Sequence, residues 1–322
     1  MKKLLLLCAL CLLASLSVGS AVGCQPVPAT SPTTAPTATV TPTPTPTPAS
    51  TPTPSQTPTW TPTPTPTPTP ARIAWTTPTA PVTLTVDTAT NRATYTSGGV
   101  QISGYFYRPQ GTGPFPAVLV LHGRAGLGEA QQSYASWLAT LGYVALAPDY
   151  LTPVSVSNEQ WGSSDWVNKI DPVREHLGQG LEALKSLSYV DPNRLGVVGF
   201  SLGGYFAFIL ATREDVKGII SYYGAYNGKP VTRNSNRYDF SDVVAEIKAP
   251  VLMFHGDNDQ LVLIALAEAT KNLLVSNGKQ YEYIVYAGAG HSFNATAGPN
   301  ANLAATADAQ QKVIVFLNAK LQ

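Results

Sequence analysis

Three residues far apart in the chain, Ser201, Asp259 and His291, have the types that nucleophilic catalysis requires. A serine hydroxyl is a weak nucleophile until a base takes its proton, and that base needs a third group to hold its tautomer and stabilise its positive charge. Ser201 stands in Gly199-Phe200-Ser201-Leu202-Gly203-Gly204, between the apolar runs Leu195 to Val198 and Tyr205 to Leu210. This reads as a nucleophile elbow: a buried strand ends, the chain turns too sharply for side chains beside the serine, and a helix starts at once. A bare GxSxG pattern is weak, and a passive serine in a tight strand-to-helix turn is the alternative. The case therefore depends on the partners.

The chain has four histidines. His122 and His255 each follow an apolar strand and read as structural residues at strand ends, and His176 falls in a predicted helix with an exposed side chain expected. His291, in Ala289-Gly290-His291-Ser292-Phe293, occupies a loop after the last predicted strand, where an imidazole can reach over a sheet. It is the expected base. The loop His255-Gly256-Asp257-Asn258-Asp259-Gln260-Leu261-Val262 offers two carboxylates. Asp259, nearer the start of the helix at Leu261, is the preferred acid, and Asp257 would cap or order the loop.

Acyl transfer also needs donors for the oxyanion, and backbone amides are a preorganised source. The Leu202 N–H is the first, and the loop His122-Gly123-Arg124-Ala125-Gly126 offers the second, expected from the Arg124 N–H. The Arg124 side chain reads equally as a substrate-carboxylate ligand or as a solvated surface group. Between Asp149 and Asp171 a longer loop carries Trp161 and Trp166, candidate walls for the acyl or alcohol group. Tyr222, Tyr223 and Tyr226 form a second candidate wall, with Tyr223 favoured. Ordinary packing is the competing reading for all of these aromatics.

Alternating elements must position these residues. Val82 to Ala89 and Val100 to Tyr107, flanking the Ser97-Gly98-Gly99 turn, alternate apolar and polar as an antiparallel ribbon would. Short strands are expected at Ala117–Leu121, Val144–Ala147, Leu195–Val198, Gly218–Ser221, Val251–Phe254 and Tyr281–Val285. Helices are expected at Glu129–Leu141, Pro172–Leu187, Leu202–Thr212, Leu261–Ser276 and Ala301–Ala319. Asp171 before Pro172 reads as an N-cap followed by proline at the first helical position, and Asp191-Pro192-Asn193 as a turn. Alternation of this kind implies an α/β fold with a mostly parallel central sheet and helices on both faces. In such sheets ligands bind beyond the C-terminal ends of the strands, where Ser201 and its partners fall.

With these residues in hand, the chain resembles the dienelactone hydrolase family of α/β-hydrolases. The resemblance rests on Phe115 to Gly123, Ala147-Pro148-Asp149-Tyr150, Gly199 to Gly204, His255 to Val262 and Gly290-His291-Ser292-Phe293, and covers nearly all of Val82 to Gln322. The order Ser201, Asp259, His291 is that of the α/β-hydrolase triad. The resemblance implies an α/β-hydrolase fold and hydrolysis of carboxylic esters through an acyl enzyme. Dienelactone hydrolases proper carry cysteine at the nucleophile and a glutamate where Gly123 stands, so Ser201 and Gly123 point to a serine esterase mechanism that needs no metal or cofactor.

The flanking sequence implies delivery outside the cytoplasm. Met1-Lys2-Lys3, the apolar Leu4 to Val18 and the small residues Ser20 to Gly23 have the pattern of a signal peptide over 1–23. Cys24 follows as in a bacterial lipobox, although Ala21 departs from the usual leucine; cleavage by an ordinary signal peptidase, giving a secreted protein, is the alternative. Of three cysteines, Cys8 and Cys11 lie in the apolar segment, so Cys24 would be the only one left after cleavage. Two acyl chains on Cys24 would suffice for stable membrane anchoring. Residues 24–81 are rich in threonine and proline and read as a polyproline II stalk, which at about 3.1 Å per residue reaches on the order of 150 Å. Trp60 and Trp75 read there as incidental or weakly packed. The folded part is expected at 82–322, as one domain and by default a monomer. A net charge of +1 with 12% charged residues gives no basic field for nucleic acid. Other acyl hydrolases on the same scaffold remain as alternatives: a polysaccharide deacetylase, a polyester hydrolase, a peptidase or a true dienelactone hydrolase. From a different class comes a non-catalytic surface binding module.

Overall fold

Along Phe115–Leu121 the side chains of Ala117, Leu119 and Leu121 enter one apolar layer and those of Val118 and Val120 another, and all five are fully buried. A strand buried on both faces requires helices on both sides of its sheet. The computed structural model describes residues 73, 75, 78, 80–155, 164–225, 231–233 and 236–322, without side chains at 164–167, 231–233 and 236–238. The chain divides into two units, Met1–Thr63 and Pro64–Gln322, and the described residues belong to the second.

The elements in chain order are β1 (Thr85–Asp87), β2 (Arg92–Ser97), β3 (Val100–Tyr107), β4 (Phe115–Leu121), α1 (Glu129–Thr140), β5 (Val144–Pro148), α2 (Ser164–Lys185), β6 (Val190–Phe200), α3 (Leu202–Leu210) and β7 (Val216–Tyr222). Then come β8 (Val231–Arg233), β9 (Asn236–Tyr238), α4 (Phe240–Glu246), β10 (Val251–Gly256), α5 (Ile264–Ser276), β11 (Tyr281–Tyr286) and α6 (Leu303–Leu321). Among the described residues the main sheet has nine strands in the order β1-β2-β3-β5-β4-β6-β7-β10-β11, and β8 and β9 form a separate hairpin. From β5 to β11 neighbours run parallel, and β1, β2 and β3 form the antiparallel ribbon. Residues of α2, α3 and α4 fill the layer on one face, and α1 and α6 cover the other. Each fully buried Val, Leu or Phe side chain contributes roughly 1.5–3 kcal/mol. No helix among the described residues is long and apolar enough to cross a membrane.

The departures from the sequence reading each have a physical cause. Within the ribbon β3 pairs with β2, with Ala93, Tyr95 and Ser97 alternating inward, and β1, only three residues long, pairs with β2 instead of β3. Helix α2 begins at Ser164 and runs through Pro172, instead of being capped by Asp171. Interior proline costs a helix about 3 kcal/mol, but Ile170, Val173, Leu177, Leu181 and Leu184 bury one stripe of α2 completely, and that burial outweighs the defect. The same helix buries His176, expected to be exposed, with its Nδ1 2.9 Å from Ser97 Oγ. Asp191-Pro192-Asn193 keeps its turn chemistry, Asn193 N–H donating to Asp191 Oδ1 at 2.9 Å, yet lies within β6.

Packing also reaches upstream of the expected domain start at Val82. Ile73 is buried and its N–H donates to Glu246 Oε2 at 2.7 Å. The Trp75 indole N–H donates to Thr212 Oγ1 at 3.0 Å, and the guanidinium groups of Arg174 and Arg213 lie over its ring, 5.2 and 5.1 Å from the ring centre. Trp75 is therefore firmly seated. Arg213 in turn pairs with Asp215 and Glu182. Burial pushes the Asp215 carboxyl up, but Arg213 and Lys185 outweigh it and hold the group down at about 2, so it stays charged in the folded protein.

Candidate active site

Strand β6 ends at Phe200 and α3 starts at Leu202, so Ser201 alone makes the turn, with φ 54° and ψ −114°. A non-glycine residue at positive φ is strained, and the flanking residues make room for it. A Cβ on Gly199 would lie 2.1 Å from Gly203 O, and one on Gly203 would lie 2.4 Å from Leu121 O. The Ser201 N–H donates to Tyr222 O of β7 at 2.9 Å, which pins the turn to the sheet. Sheet, helix and missing side chains together hold Oγ above the C-terminal edge.

The loop after β11 brings His291 over that edge. Its Nε2 lies 3.0 Å from Ser201 Oγ and its Nδ1 2.7 Å from Asp259 Oδ2. Asp259 follows β10 and is buried, and its Oδ1 accepts the N–H groups of Leu261 and Val262 at 2.8 and 2.9 Å. Burial pushes this carboxyl up, but the bonds from His291 and the two amides outweigh it and hold Asp259 below the usual carboxylate range. A charged acid thus faces Nδ1, leaving Nε2 toward the hydroxyl. Asp257 has the ordering role: its Oδ1 accepts the Gly288 N–H at 2.6 Å and ties the two loops together.

Loop 122–126 passes beside the serine. A Cβ on Gly123 would stand 3.4 Å from Ser201 Cβ and 4.0 Å from Oγ. The Gly123 carbonyl accepts from Gly126 N–H at 3.1 Å and lies 2.7 Å from His122 Nδ1. In a trans peptide N–H and C=O point in opposite directions, so the Arg124 N–H is turned away from both of these groups. Leu202 N–H, at the first position of α3, is one of the amides a helix start leaves without an intrahelical acceptor. The Arg124 side chain is exposed.

His122 and His255, expected from their places after apolar strands to be structural, are both buried there. His122 is fully buried and stacked on Tyr150 at 4.1 Å between ring centres, and the Tyr150 hydroxyl donates to His122 O at 2.5 Å. Burial, opposed by the Gly123 carbonyl and Asp149, pulls His122 down to about 4, so its ring is neutral near pH 7. His255 is also buried, its Nε2 2.7 Å from Val262 O and 3.6 Å from Asp259 Oδ2, behind the acid loop. Tyr223, expected as a substrate wall, is only 4% exposed. Its hydroxyl donates to Asn294 Oδ1 at 2.6 Å and its ring lies 4.7 Å from the His291 ring, so it backs the histidine and offers little surface to a substrate. Trp161, Tyr226 and Cys24 lie outside the described residues, and the backbone of Trp166 falls in α2 but its side chain is outside the description.

A mostly parallel sheet sandwiched by helices, with a strained serine between strand and helix and a histidine and carboxylate in the two following loops, defines an α/β-hydrolase. Residues 102–321 match the model of the dienelactone hydrolase family, and the chain belongs to that family of enzymes. A Methylorubrum extorquens protein named as a carboxymethylenebutenolidase is 33% identical over 206 residues, covering 62% of this chain and 70% of its own. A Bradyrhizobium protein named as a 2-oxo-3-(5-oxofuran-2-ylidene)propanoate lactonase is 32% identical over 200 residues, 59% of this chain and 78% of its own. Among solved structures, a Klebsiella pneumoniae protein named as a dienelactone hydrolase superposes with a TM-score of 0.60 at 23% identity, over 69% of this chain and 95% of that one.

Proposed function

We propose that the protein is a serine esterase, a reading carried by the continuous contact from Asp259 through His291 to Ser201 at 2.7 and 3.0 Å. His291 Nε2 takes the Ser201 proton as Oγ attacks the ester carbonyl. The resulting oxyanion is held by the Leu202 and Arg124 amides, and Asp259 stabilises the imidazolium. His291 then returns the proton to the leaving alcohol. Water, activated by the same histidine, attacks the acyl enzyme and releases the acid. Relatives named for butenolide and lactone hydrolysis act by name on cyclic esters, which the same steps would open. A fluorophosphonate probe is expected to label the folded full-length protein once, on the peptide containing Ser201, as read by mass spectrometry. Folded protein that stays unlabelled would refute the serine esterase reading.

The enzyme is further proposed to work outside the cytoplasm, exported by residues 1–23 and tethered through lipid on Cys24, a reading supported by the basic, apolar and small-residue pattern before that cysteine. Labelled palmitate should enter the protein in growing bacterial cells and be lost in Cys24→Ser. Incorporation unchanged by that substitution would overturn the anchor.

A further inference from the structure

A cavity of about 270 Å³ opens beside the catalytic edge, bordered by the loop after β10 and by the loop that joins β11 to α6 and carries His291. Its lining residues include Asn258, Gln260, Asn300 and Asn302, the apolar Leu261 and His291, and among the described residues none that lines it is acidic, a lysine or an arginine. Asn302 is committed to the fold, since its Oδ1 accepts the Ala305 N–H at 3.0 Å as the N-cap of α6. The Gln260 Nε2 donates to Asn258, at 3.2 Å from its carboxamide oxygen and 3.3 Å from its main-chain carbonyl. Leu261 is 68% exposed at the rim and offers the cavity an apolar surface. Gly290 sits among these residues, a Cβ there lying 3.5 Å from Asn300 Oδ1 and 3.8 Å from Asn258 O.

The chemistry of acyl transfer fixes which half of the ester this cavity meets. The proton that His291 takes from Ser201 goes back to the oxygen of the departing alcohol, so that oxygen must lie against the imidazole when the bond breaks. A bulky alcohol then extends past His291, and His291 borders the cavity while Ser201 does not. Carboxamides are both donors and acceptors and carry no charge, which suits vicinal hydroxyls, and the Leu261 side chain gives a C–H face something to rest on. A volume at the small end of ligand sites fits one ring.

Building on the serine esterase reading, we propose that this cavity is the alcohol-side subsite and that it takes a single neutral sugar ring bearing the ester, held by Gln260 and Asn300 over Leu261. The test keeps the acyl group constant and varies only the alcohol. Methyl 6-O-acetylglucoside is compared with cyclohexylmethyl acetate, of similar shape without hydroxyls, and with acetylcholine, which carries a charge. The full-length protein is expected to favour the glucoside in kcat/KM by about tenfold over each of the others, the yield of one or two net hydrogen bonds. In the double variant Gln260→Ala/Asn300→Ala, both positions being exposed, that preference should fall to about twofold or less. Equal rates on the three esters in protein whose Ser201 takes a fluorophosphonate would overturn the sugar subsite alone, as would a preference that survives the double substitution. Failure to label Ser201 would instead overturn the esterase reading and the subsite with it.

Discussion

Ser201→Ala is expected to cut kcat for ester hydrolysis by about 10⁵- to 10⁶-fold, leaving the roughly 10³- to 10⁴-fold advantage over water that oxyanion donors and binding alone provide. The substitution removes one oxygen whose protein contact is His291 Nε2 at 3.0 Å, and it leaves the Ser201 N–H bond to Tyr222 O in place. Alanine at φ 54° carries a strain similar to that of serine, so folding should be retained. Initial rates on a p-nitrophenyl ester, beside matching circular dichroism, would measure the effect. A loss below tenfold in folded protein would mean that another group makes the acyl enzyme.

The second large effect is on folding. In Gly199→Ala the added methyl would meet three backbone atoms of the first turn of α3: Gly203 O at 2.1 Å, Gly203 C at 2.3 Å and Gly204 N at 2.6 Å. None belongs to a flexible side chain, and α3 cannot retreat, because all nine of its residues are buried. Relief requires moving β6, α3 or both, against close packing that resists even a single methylene. The expected loss is about 3 kcal/mol or more, a large share of the 5–15 kcal/mol that stabilises a typical domain. A lowered urea midpoint would show it, and any soluble fraction should lose esterase activity because Ser201 is carried on the displaced turn. A midpoint unchanged from the wild-type protein would show that the elbow has slack the distances do not reveal.

The parallel core and the serine, histidine and aspartate positions were legible because they are written locally. Short β-branched runs ending in glycine mark buried strands, and the elbow needs its glycines within three residues of the serine. Ser201 falls directly after such a run and Asp259 and His291 in the loops after the next-to-last and last strands, and the structure brings the three side chains into one chain of contacts. What stayed hidden depends on distant packing. Pro172 signals a helix start, and only the buried stripe from Ile170 to Leu184 shows why α2 passes through it. His176 looked like a surface residue because nothing near it announces Ser97, 79 positions away. Tyr223 read as a wall since an aromatic after a strand commonly lines a site, whereas its hydroxyl finds Asn294 and its ring supports His291. The cavity beside His291 is invisible in sequence, being assembled from two loops whose amide side chains look like ordinary turn residues.

The seat of Trp75 gives the domain a direction. Its hydrogen-bond acceptor, Thr212, lies just past the C-terminal end of α3, while Ser201 precedes the first residue of that helix. At 1.5 Å per residue the two ends stand roughly 15 Å apart. The segment ahead of the domain is thus fastened to the floor of the sheet, and the ester-cleaving edge is its roof. A pull applied through Trp75 would therefore load the far end of α3 and leave the turn that carries Ser201 undisturbed.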